Sequence, residues 1–176
     1  LLSDFWGQPM YLGATVLLPD GYDENPDEFY PVNYQHGHFS LGVPFGFRDP
    51  DAPSASSRRS NQEFTDFWMS DDCPPLIAIK ILHPCPYYDD SYAVNSPNVG
   101  PYDDAIAQEL IPLLEEKFRI ISQPYARILS GGSTGGWIAL AQQIFHPDFY
   151  GGVFSLCADP VDFHYYQIVD IYKDKN

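Results

Sequence analysis

The sequence predicts an α/β fold in which a mostly parallel β-sheet carries helices on both faces. Two observations predict it: short β-branched, apolar runs alternate with amphipathic runs of helical length, and residues 76–82 (LIAIKIL) are apolar almost throughout. Such alternation gives a parallel sheet covered by helices, and a strand without polar alternation is typical of a sheet buried on both faces. At 176 residues the chain is long enough for one core, so we expect residues 1–176 to form a single domain or part of one.

The first half of the chain predicts two further strands, a loop and a short helix. Residues 12–18 (LGATVLL) predict a strand ended by the turn sequence PDG, and residues 30–35 (YPVNYQ) predict a strand ended by HGH. Residues 41–60 are rich in Gly, Pro, Ser and Asp, which indicates a long surface loop. Residues 62–68 predict one or two helical turns.

A longer helix is expected after the loop at residues 83–100. Asp103 or Asp104 can cap it, and Pro112 inside it should kink the helix or remove one hydrogen bond. Its apolar residues recur at helical spacing. They are Ile106, Leu110, Leu113, Leu114 and Phe118.

Ser133 is the most informative residue of the chain. It lies in the sequence GGSTGG (residues 131–136), after a predicted strand at residues 126–129 and before a predicted helix at residues 137–145. Small residues around a serine allow the tight strand-to-helix turn that lifts the hydroxyl above the sheet, so the pattern predicts a nucleophile elbow. The alternatives are a plain tight turn and a phosphate-binding loop. Against the phosphate loop, no lysine follows the glycines and the net charge is wrong for an anion.

Attack by a serine hydroxyl requires donors for the oxyanion that forms on the carbonyl oxygen. The backbone N–H of Thr134, at the start of the helix, is one candidate. The other is the backbone N–H of His38, where Gly37 allows the chain to approach closely. Loss of one such donor typically lowers the rate about 100- to 1000-fold.

A further buried strand is expected at residues 152–156 (GVFSL). Asp159 and Asp162 follow it, where a triad carboxylate could lie, but ordinary turn and capping chemistry is the favoured interpretation. His164 is the only candidate base late in the chain. Residues 165–172 predict a helical stretch.

We interpret the remaining histidines as loop or capping residues. His36 and His38 flank a glycine at a strand end, but no Cys or carboxylate stands beside them at ligand spacing, so loop histidines are favoured over a metal site. His146, before a proline at a helix end, is interpreted as a C-terminal cap.

His83, Tyr87 and Tyr88 are the candidate substrate-lining residues. His83 follows the buried strand on the side where ligands bind in parallel sheets, although a plain loop role is the alternative. Tyr87 and Tyr88 lie in a tyrosine-rich loop, where packing competes with recognition of sugars or aromatic acyl groups.

The formal net charge of −15 excludes nucleic acid and anionic membranes as favoured partners. No apolar run is long enough to span a membrane, and the first residues lack the layout of a secretory signal. Cys73 and Cys85 lie in proline-rich loops and could pair outside the cytosol, whereas Cys157 is expected to be a small core residue. A Cys73–Cys85 pair and the acidic surface would favour an extracytoplasmic location.

Five segments of the chain together carry a family resemblance. They are LGATVLLPDGYDE, YPVNYQHGHF, NVGPYDDAIAQELIPLLEEKFRI, ARILSGGSTGGWIAL and HPDFYGGVFSLCADPVDF. With these segments the chain resembles the esterase branch of the α/β-hydrolase superfamily, which contains esterase D-like, feruloyl-esterase-like and enterochelin-esterase-like enzymes. The resemblance implies that Ser133 is the nucleophile, that Thr134 and His38 donate to the oxyanion, and that Gly37 is the close-approach glycine. It implies no cofactor or metal, and a small-molecule or carbohydrate-linked ester as substrate.

The chain departs from this family after Ser133. In the superfamily the carboxylate of the catalytic triad follows a later strand than the nucleophile, and the catalytic histidine follows the last strand. Too few residues follow Ser133 in this chain for two more strand–helix units. The resemblance therefore implies that the acid and the base lie outside this chain. Residues 163–172 would begin an insertion or lid, and the strand at residues 152–156 would be an exposed apolar edge, covered by a missing C-terminal segment or a partner.

Three functions follow from these patterns. The first is a serine hydrolase that cleaves a carboxylic ester through an acyl-enzyme at Ser133. The second is a non-catalytic binding module on the same fold, which a fluorophosphonate probe would distinguish by its failure to label Ser133. The third is an acyltransferase like the mycolyltransferases, which product analysis with a competing alcohol would separate.

Overall fold

The computed structural model describes residues 1–37, 42–48, 59–87, 90–165 and 168–175. The strands in these residues are β1 (Gly13–Leu17), β2 (Val32–His36), β3 (Ile77–Leu82), β4 (Asn95–Ser96), β5 (Gly100–Pro101), β6 (Arg127–Gly132) and β7 (Gly152–Leu156). The α-helices are α1 (Leu2–Trp6), α2 (Arg59–Trp68), α3 (Tyr102–Ala105), α4 (Ile111–Lys117) and α5 (Thr134–Phe145).

Five strands form one sheet in the order β1-β3-β2-β6-β7, and β4 and β5 pair separately as an antiparallel hairpin. β1 runs antiparallel to β3, whereas β3, β2, β6 and β7 run parallel to one another. The predicted mostly parallel sheet is confirmed. Because the four parallel strands end at one edge, the segments that follow them lie side by side there.

β2 and β3 form the buried centre of the sheet. Ile77 and Ile79 of β3 are fully buried, as the continuous apolar run predicts. β2 begins at Val32, later than predicted, because the proline before it has no N–H to donate to a ladder. The chain enters β2 through a single bridge between Tyr30 and Ile120.

Pro112 interrupts the long helix, as predicted. The chain runs from α3 through a π-helical turn, Ile106–Leu110, into α4, whose second residue is Pro112. Proline lacks the N–H that a continuous α-helix would use, and the wider turn before it absorbs the missing bond. The predicted caps are wrong, because Pro101 occupies the N-cap position, and the backbone N–H of Asp104 donates instead to Oδ1 of Asn95 in β4 at 3.1 Å.

α5 packs close to the sheet because its first turn is made of small residues. A Cβ on Gly136 would lie 2.9 Å from the carbonyl oxygen of Leu156 in β7. Further along the helix, Ile138 and Ala139 are fully buried in the core. α2 is tied to the residue that follows β1, where the indole N–H of Trp68 donates to the carbonyl oxygen of Leu18 at 3.1 Å.

β7 is the last strand of the sheet, and the prediction that it is buried is wrong. Phe154 is 63% exposed and Leu156 61% exposed on the face opposite Ser155. The hydroxyl of Ser155 donates to the carbonyl oxygen of Gly136 in α5 at 2.9 Å, so α5 covers only one face of β7. The exposed apolar edge implied by the family resemblance is therefore present.

Three smaller points of the sequence analysis also differ from the structure. Cys73 and Cys85 are free thiols, so the disulfide argument for an extracytoplasmic location is lost. Cys157 is exposed, because it follows β7 at the edge of the sheet instead of lying in the core. The helix expected at residues 165–172 is not formed in the described part of that segment, which holds a 3₁₀ turn, Phe163–Tyr165, and an isolated bridge at Val169.

Candidate active site

Ser133 forms the turn between β6 and α5. Its φ of 56° and ψ of −124° lie in a region that residues with a Cβ rarely adopt, at a cost on the order of 1–3 kcal/mol. The backbone N–H of Ser133 donates to the carbonyl oxygen of Leu156 at 2.9 Å, so β7 holds the turn in place. The residue is exposed. The predicted strand, turn and helix are all present, and the turn presents the hydroxyl to solvent.

The N-terminus of α5 lies beside this hydroxyl. The helix begins at Thr134, and the carbonyl oxygen of Ser133 accepts from the N–H of Trp137 at 3.1 Å, which closes the first turn. The first N–H groups of a helix have no acceptor within the helix, and this end carries a partial positive charge. The backbone N–H of Thr134 is therefore free of a helical partner next to Ser133. Its predicted role as oxyanion donor stays a prediction.

The end of β2 meets the same turn. A Cβ on Gly135 would lie 2.3 Å from the carbonyl oxygen of His36 and 3.4 Å from the backbone nitrogen of Gly37. The backbone at Gly37 therefore runs beside the first turn of α5. A Cβ on Gly37 would lie 2.8 Å from Cε of Lys80, so this glycine leaves room for the lysine side chain. His38, the second predicted donor, lies outside the described residues.

Asp159 is in contact with Ser133, which the sequence did not favour. Its carboxylate accepts from the hydroxyl of Ser133 at 3.2 Å and from the hydroxyl of Thr134 at 2.7 Å. Its backbone N–H donates to the carbonyl oxygen of Ser133 at 3.3 Å. The sequence contained one signal for this contact, because Asp159 follows a strand that neighbours β6 in a parallel sheet. Turn and capping chemistry remained the favoured interpretation of the Asp-Pro sequence, because the neighbours of a strand are not visible in the sequence.

His36 and His83 form a buried pair at the ends of β2 and β3. They are 2% and 4% exposed, and their ring centroids are 5.9 Å apart. Nδ1 of His83 lies 3.0 Å from the hydroxyl of Ser91 and 3.2 Å from the carboxylate of Asp90. Burial, and then the neighbouring His83, lower the pKa of His36 to about 3, so its ring is neutral near neutral pH. The interpretation of His36 as a loop histidine is wrong, because it is the last residue of β2. The substrate-lining role of His83 stays a prediction.

His146 and His164 each pair with a carboxylate away from Ser133. Nε2 of His146, at the C-terminal end of α5 as predicted, lies 2.7 Å from the carboxylate of Asp103. Burial raises the pKa of Asp103, although His146 opposes the shift. Nδ1 of His164, the late candidate base, lies 2.9 Å from the carboxylate of Asp162 in an exposed turn. Among the described residues, Ser133 is hydrogen-bonded to a carboxylate and not to a histidine.

Tyr87 is exposed, and its ring packs against Trp6 with the centroids 5.4 Å apart. Tyr88 lies outside the described residues, so the substrate-lining role of both tyrosines stays a prediction. The described residues contain no group of three or more His, Cys, Asp or Glu side chains that could hold a metal ion. In the same residues, no helix is long and apolar enough to cross a lipid bilayer.

The four parallel strands, the antiparallel edge strand and the serine turn between β6 and α5 define the chain as an α/β-hydrolase fold. Residues 85–168 match the model of a family described as "Putative esterase". This match confirms the resemblance that the sequence motifs indicated. Among curated proteins, none matches the chain.

Solved structures of esterases and serine hydrolases share the fold. A ferulic acid esterase is 22% identical with a TM-score of 0.64, over 84% of this chain and 52% of that chain. A ferulic acid esterase from Anaeromyces mucronatus, solved with ferulic acid, is 23% identical with a TM-score of 0.53 over 84% and 52%. The fluorophosphonate-binding serine hydrolase F of Staphylococcus aureus is 18% identical with a TM-score of 0.58 over 92% and 56%. The chain thus spans about half the length of the structures it resembles.

Proposed function

We propose that the protein hydrolyses carboxylic esters through a covalent acyl-enzyme at Ser133. One observation carries the proposal: Ser133 has a φ of 56° in the turn from β6 into α5, with an exposed position and a helix N-terminus beside it. Strain of this kind is retained at functional sites, because a plain turn could place a glycine there. The esterase family match over residues 85–168 supports the same chemistry.

The reaction follows from the groups around the turn. The Ser133 oxygen attacks the ester carbonyl carbon while its proton passes to a base. The oxyanion then accepts a hydrogen bond from the backbone N–H of Thr134, with the N–H of His38 as the proposed second donor. Collapse breaks the bond to the alcohol, which leaves with the proton from the base. Water then gives a proton to the same base and attacks the acyl carbon. The bond from that carbon to Ser133 Oγ breaks, the proton returns from the base to Ser133, and the acid is released.

We place the base and its carboxylate partner outside this chain. His164 is bonded to Asp162 in an exposed turn, and the hydroxyl of Ser133 is bonded to Asp159. A carboxylate alone is a weak base for a serine hydroxyl, since its usual pKa lies far below neutral pH. The chain also spans only 52% of the ferulic acid esterase that it resembles. The isolated chain is therefore expected to be essentially inactive.

The proposed substrate is a small-molecule or carbohydrate-linked ester without a strong negative charge. The net charge of −15 would repel an anionic substrate. Aromatic acyl esters are the first choice, because one of the similar structures was solved with ferulic acid.

The proposal is tested by hydrolysis of p-nitrophenyl acetate and methyl ferulate by the full-length protein. Ser133→Ala should lower kcat/KM by at least about 1000-fold, because the nucleophile is lost. Ser122→Ala, which removes an exposed serine from the segment before β6, is the matched control and should keep wild-type activity. Equal activity of Ser133→Ala and the wild type would overturn the proposal.

A further inference from the structure

Three hydrogen bonds join Asp159 to the two residues that follow β6. The carboxylate accepts from Thr134 Oγ1 at 2.7 Å and from Ser133 Oγ at 3.2 Å. The backbone N–H of Asp159 donates to the carbonyl oxygen of Ser133 at 3.3 Å. The last residue of β7 bonds to the same turn, because the carbonyl oxygen of Leu156 accepts from the N–H of Ser133 at 2.9 Å.

The hydrogen bonds of Asp159 surround the peptide group that joins Ser133 to Thr134. The carbonyl of Ser133 and the N–H of Thr134 belong to the same planar unit, so a bond that orients the carbonyl oxygen also orients the N–H on the opposite side. The carbonyl oxygen is held by Asp159 and by the N–H of Trp137 at 3.1 Å. The side chain on the N–H side, that of Thr134, is held by the Asp159 carboxylate.

The carboxylate of Asp159 is well suited to hold the side chain of Thr134 in place. A hydrogen bond to an ionised acceptor is roughly twice as strong as a neutral one, and the bond to Thr134 is the shorter of the two that the carboxylate accepts. A negative charge at the N-terminus of a helix is also favourable, because it faces the positive end of the α5 dipole. Thr134 is 7% exposed, so its hydroxyl has few alternative partners in water.

We infer that Asp159 is a positioning residue that fixes the peptide group between Ser133 and Thr134, and with it the N–H that stabilises the oxyanion. The inference rests on the proposed function. Asp159 takes no proton in this reaction. It sets the direction of a donor that must already point at the oxyanion when the charge develops.

The test is the steady-state kinetics of the full-length protein with methyl ferulate. Asp159→Ala should lower kcat about 10- to 100-fold, a part of the loss seen when an oxyanion donor is removed, with KM changed less than about threefold. Asp159→Asn keeps an oxygen that accepts from Thr134, so it should restore most of kcat. Asp162→Ala removes the same charge three residues away, at an exposed carboxylate, and should keep kcat within about twofold of the wild type.

A double-mutant cycle tests the route through Thr134. Thr134→Val removes the hydroxyl and keeps the shape of the side chain. Combined with Asp159→Ala, it should cost little more than Asp159→Ala alone, because both changes break the same bond. Independent, multiplying losses would overturn the inference.

Two further results would overturn it while leaving the proposed function intact. Asp159→Ala with wild-type kcat and only a lower melting temperature would mean that the contact is merely structural. Losses in Asp159→Ala and Asp159→Asn as large as in Ser133→Ala would mean that Asp159 takes the proton. Wild-type activity in Ser133→Ala would instead remove the proposed function itself, so the two failures are distinguishable.

Discussion

At Gly135 the first turn of α5 lies so close to the last residue of β2 that no side chain fits. A Cβ there would lie 2.3 Å from the carbonyl oxygen of His36, and both contacting groups are backbone. Backbone cannot move aside as the end of a flexible side chain can. The approach of α5 to the sheet, and therefore the position of Ser133, depends on this residue having no Cβ.

Gly135→Ala should lower the free energy of unfolding by about 3 kcal/mol or more, because the helix must move away from β2. Gly132→Ala is the matched control, since its Cβ would meet only the carbonyl oxygen of Leu156, at 3.8 Å. That variant should stay within about 1 kcal/mol of the wild type. Urea unfolding of the three proteins measures the difference. Equal stabilities for the two variants would show that the close contact does not constrain the helix.

The stability of the folded protein depends on pH through His36, the last residue of β2. Its ring is buried beside His83, with Asp90 and Gln142 as the other polar groups that act on it. The pKa of about 3 in the folded protein lies below the usual value of 6.5, so the unfolded chain binds more protons between these two values. Protonation of His36 therefore favours the unfolded chain. The free energy of unfolding has its full value above about pH 6.5 and falls as the pH decreases toward 3.

We therefore expect the free energy of unfolding to fall more steeply with decreasing pH in the wild type than in His36→Phe. The difference in slope between pH 6 and pH 4 should approach about 1.4 kcal/mol per pH unit. Denaturant titrations at several pH values give the slopes, and identical slopes for the wild type and His36→Phe would refute this linkage.

Residue-level prediction succeeded where local sequence determines the backbone. The cluster of small residues around Ser133 requires a tight turn, whatever surrounds it. The burial of His36 and the bond between Asp159 and Ser133 depend on which strands become neighbours. Sequence motifs at a strand end do not reveal that arrangement.

At the scale of elements, Arg127 joins β6 to α4. Its guanidinium makes two bonds to the carboxylate of Glu115, at 2.6 and 3.0 Å, and lies 4.2 Å from the ring centroid of Phe149. Both charged side chains are 9% exposed. Removal of one partner from a buried pair leaves the other charge without compensation.

Glu115→Gln should lower the free energy of unfolding by about 2–3 kcal/mol, since Arg127 remains largely buried. Glu116→Gln, one residue along α4 and exposed, is the control and should change stability by less than about 0.5 kcal/mol. Thermal or urea unfolding measures both. A loss of less than about 0.5 kcal/mol in Glu115→Gln would mean that the pair is solvated.

Helices and strands with a strong local pattern were predicted well, but their positions in the sheet and the burial of their side chains were not. The apolar run of β3 and the effect of Pro112 on its helix follow from side-chain chemistry within the element. β7 is also largely apolar in sequence, yet Phe154 and Leu156 are exposed because β7 is the last strand in the sheet. Position in a sheet is set by the whole chain.

For the whole molecule, the open side of β7 is the main consequence of this strand order. An edge strand has unpaired backbone groups on its outer side, and the exposed Phe154 and Leu156 add apolar surface. The segment after β7 is similarly exposed, with Val161 62% and Ile168 96% accessible. Surfaces of this kind promote association between chains.

The 176-residue chain should therefore associate in a concentration-dependent way. Phe154→Lys combined with Leu156→Lys should shift it toward the monomer, because charged side chains on an edge strand oppose pairing. Phe29→Lys changes a residue with a comparable 60% exposure outside the sheet edge and should leave association unchanged. Sedimentation velocity over a range of concentrations measures this, and a wild-type chain that stays monomeric throughout would contradict it.

The central claim is that Ser133 is the nucleophile of an ester hydrolase, and covalent labelling tests it most directly. The full-length protein is treated with a fluorophosphonate, and the adduct is located by mass spectrometry of its peptides. We expect one adduct, on the peptide that contains Ser133, and no adduct in Ser133→Ala. An adduct on another residue, or equal labelling of the wild type and Ser133→Ala, would contradict the claim.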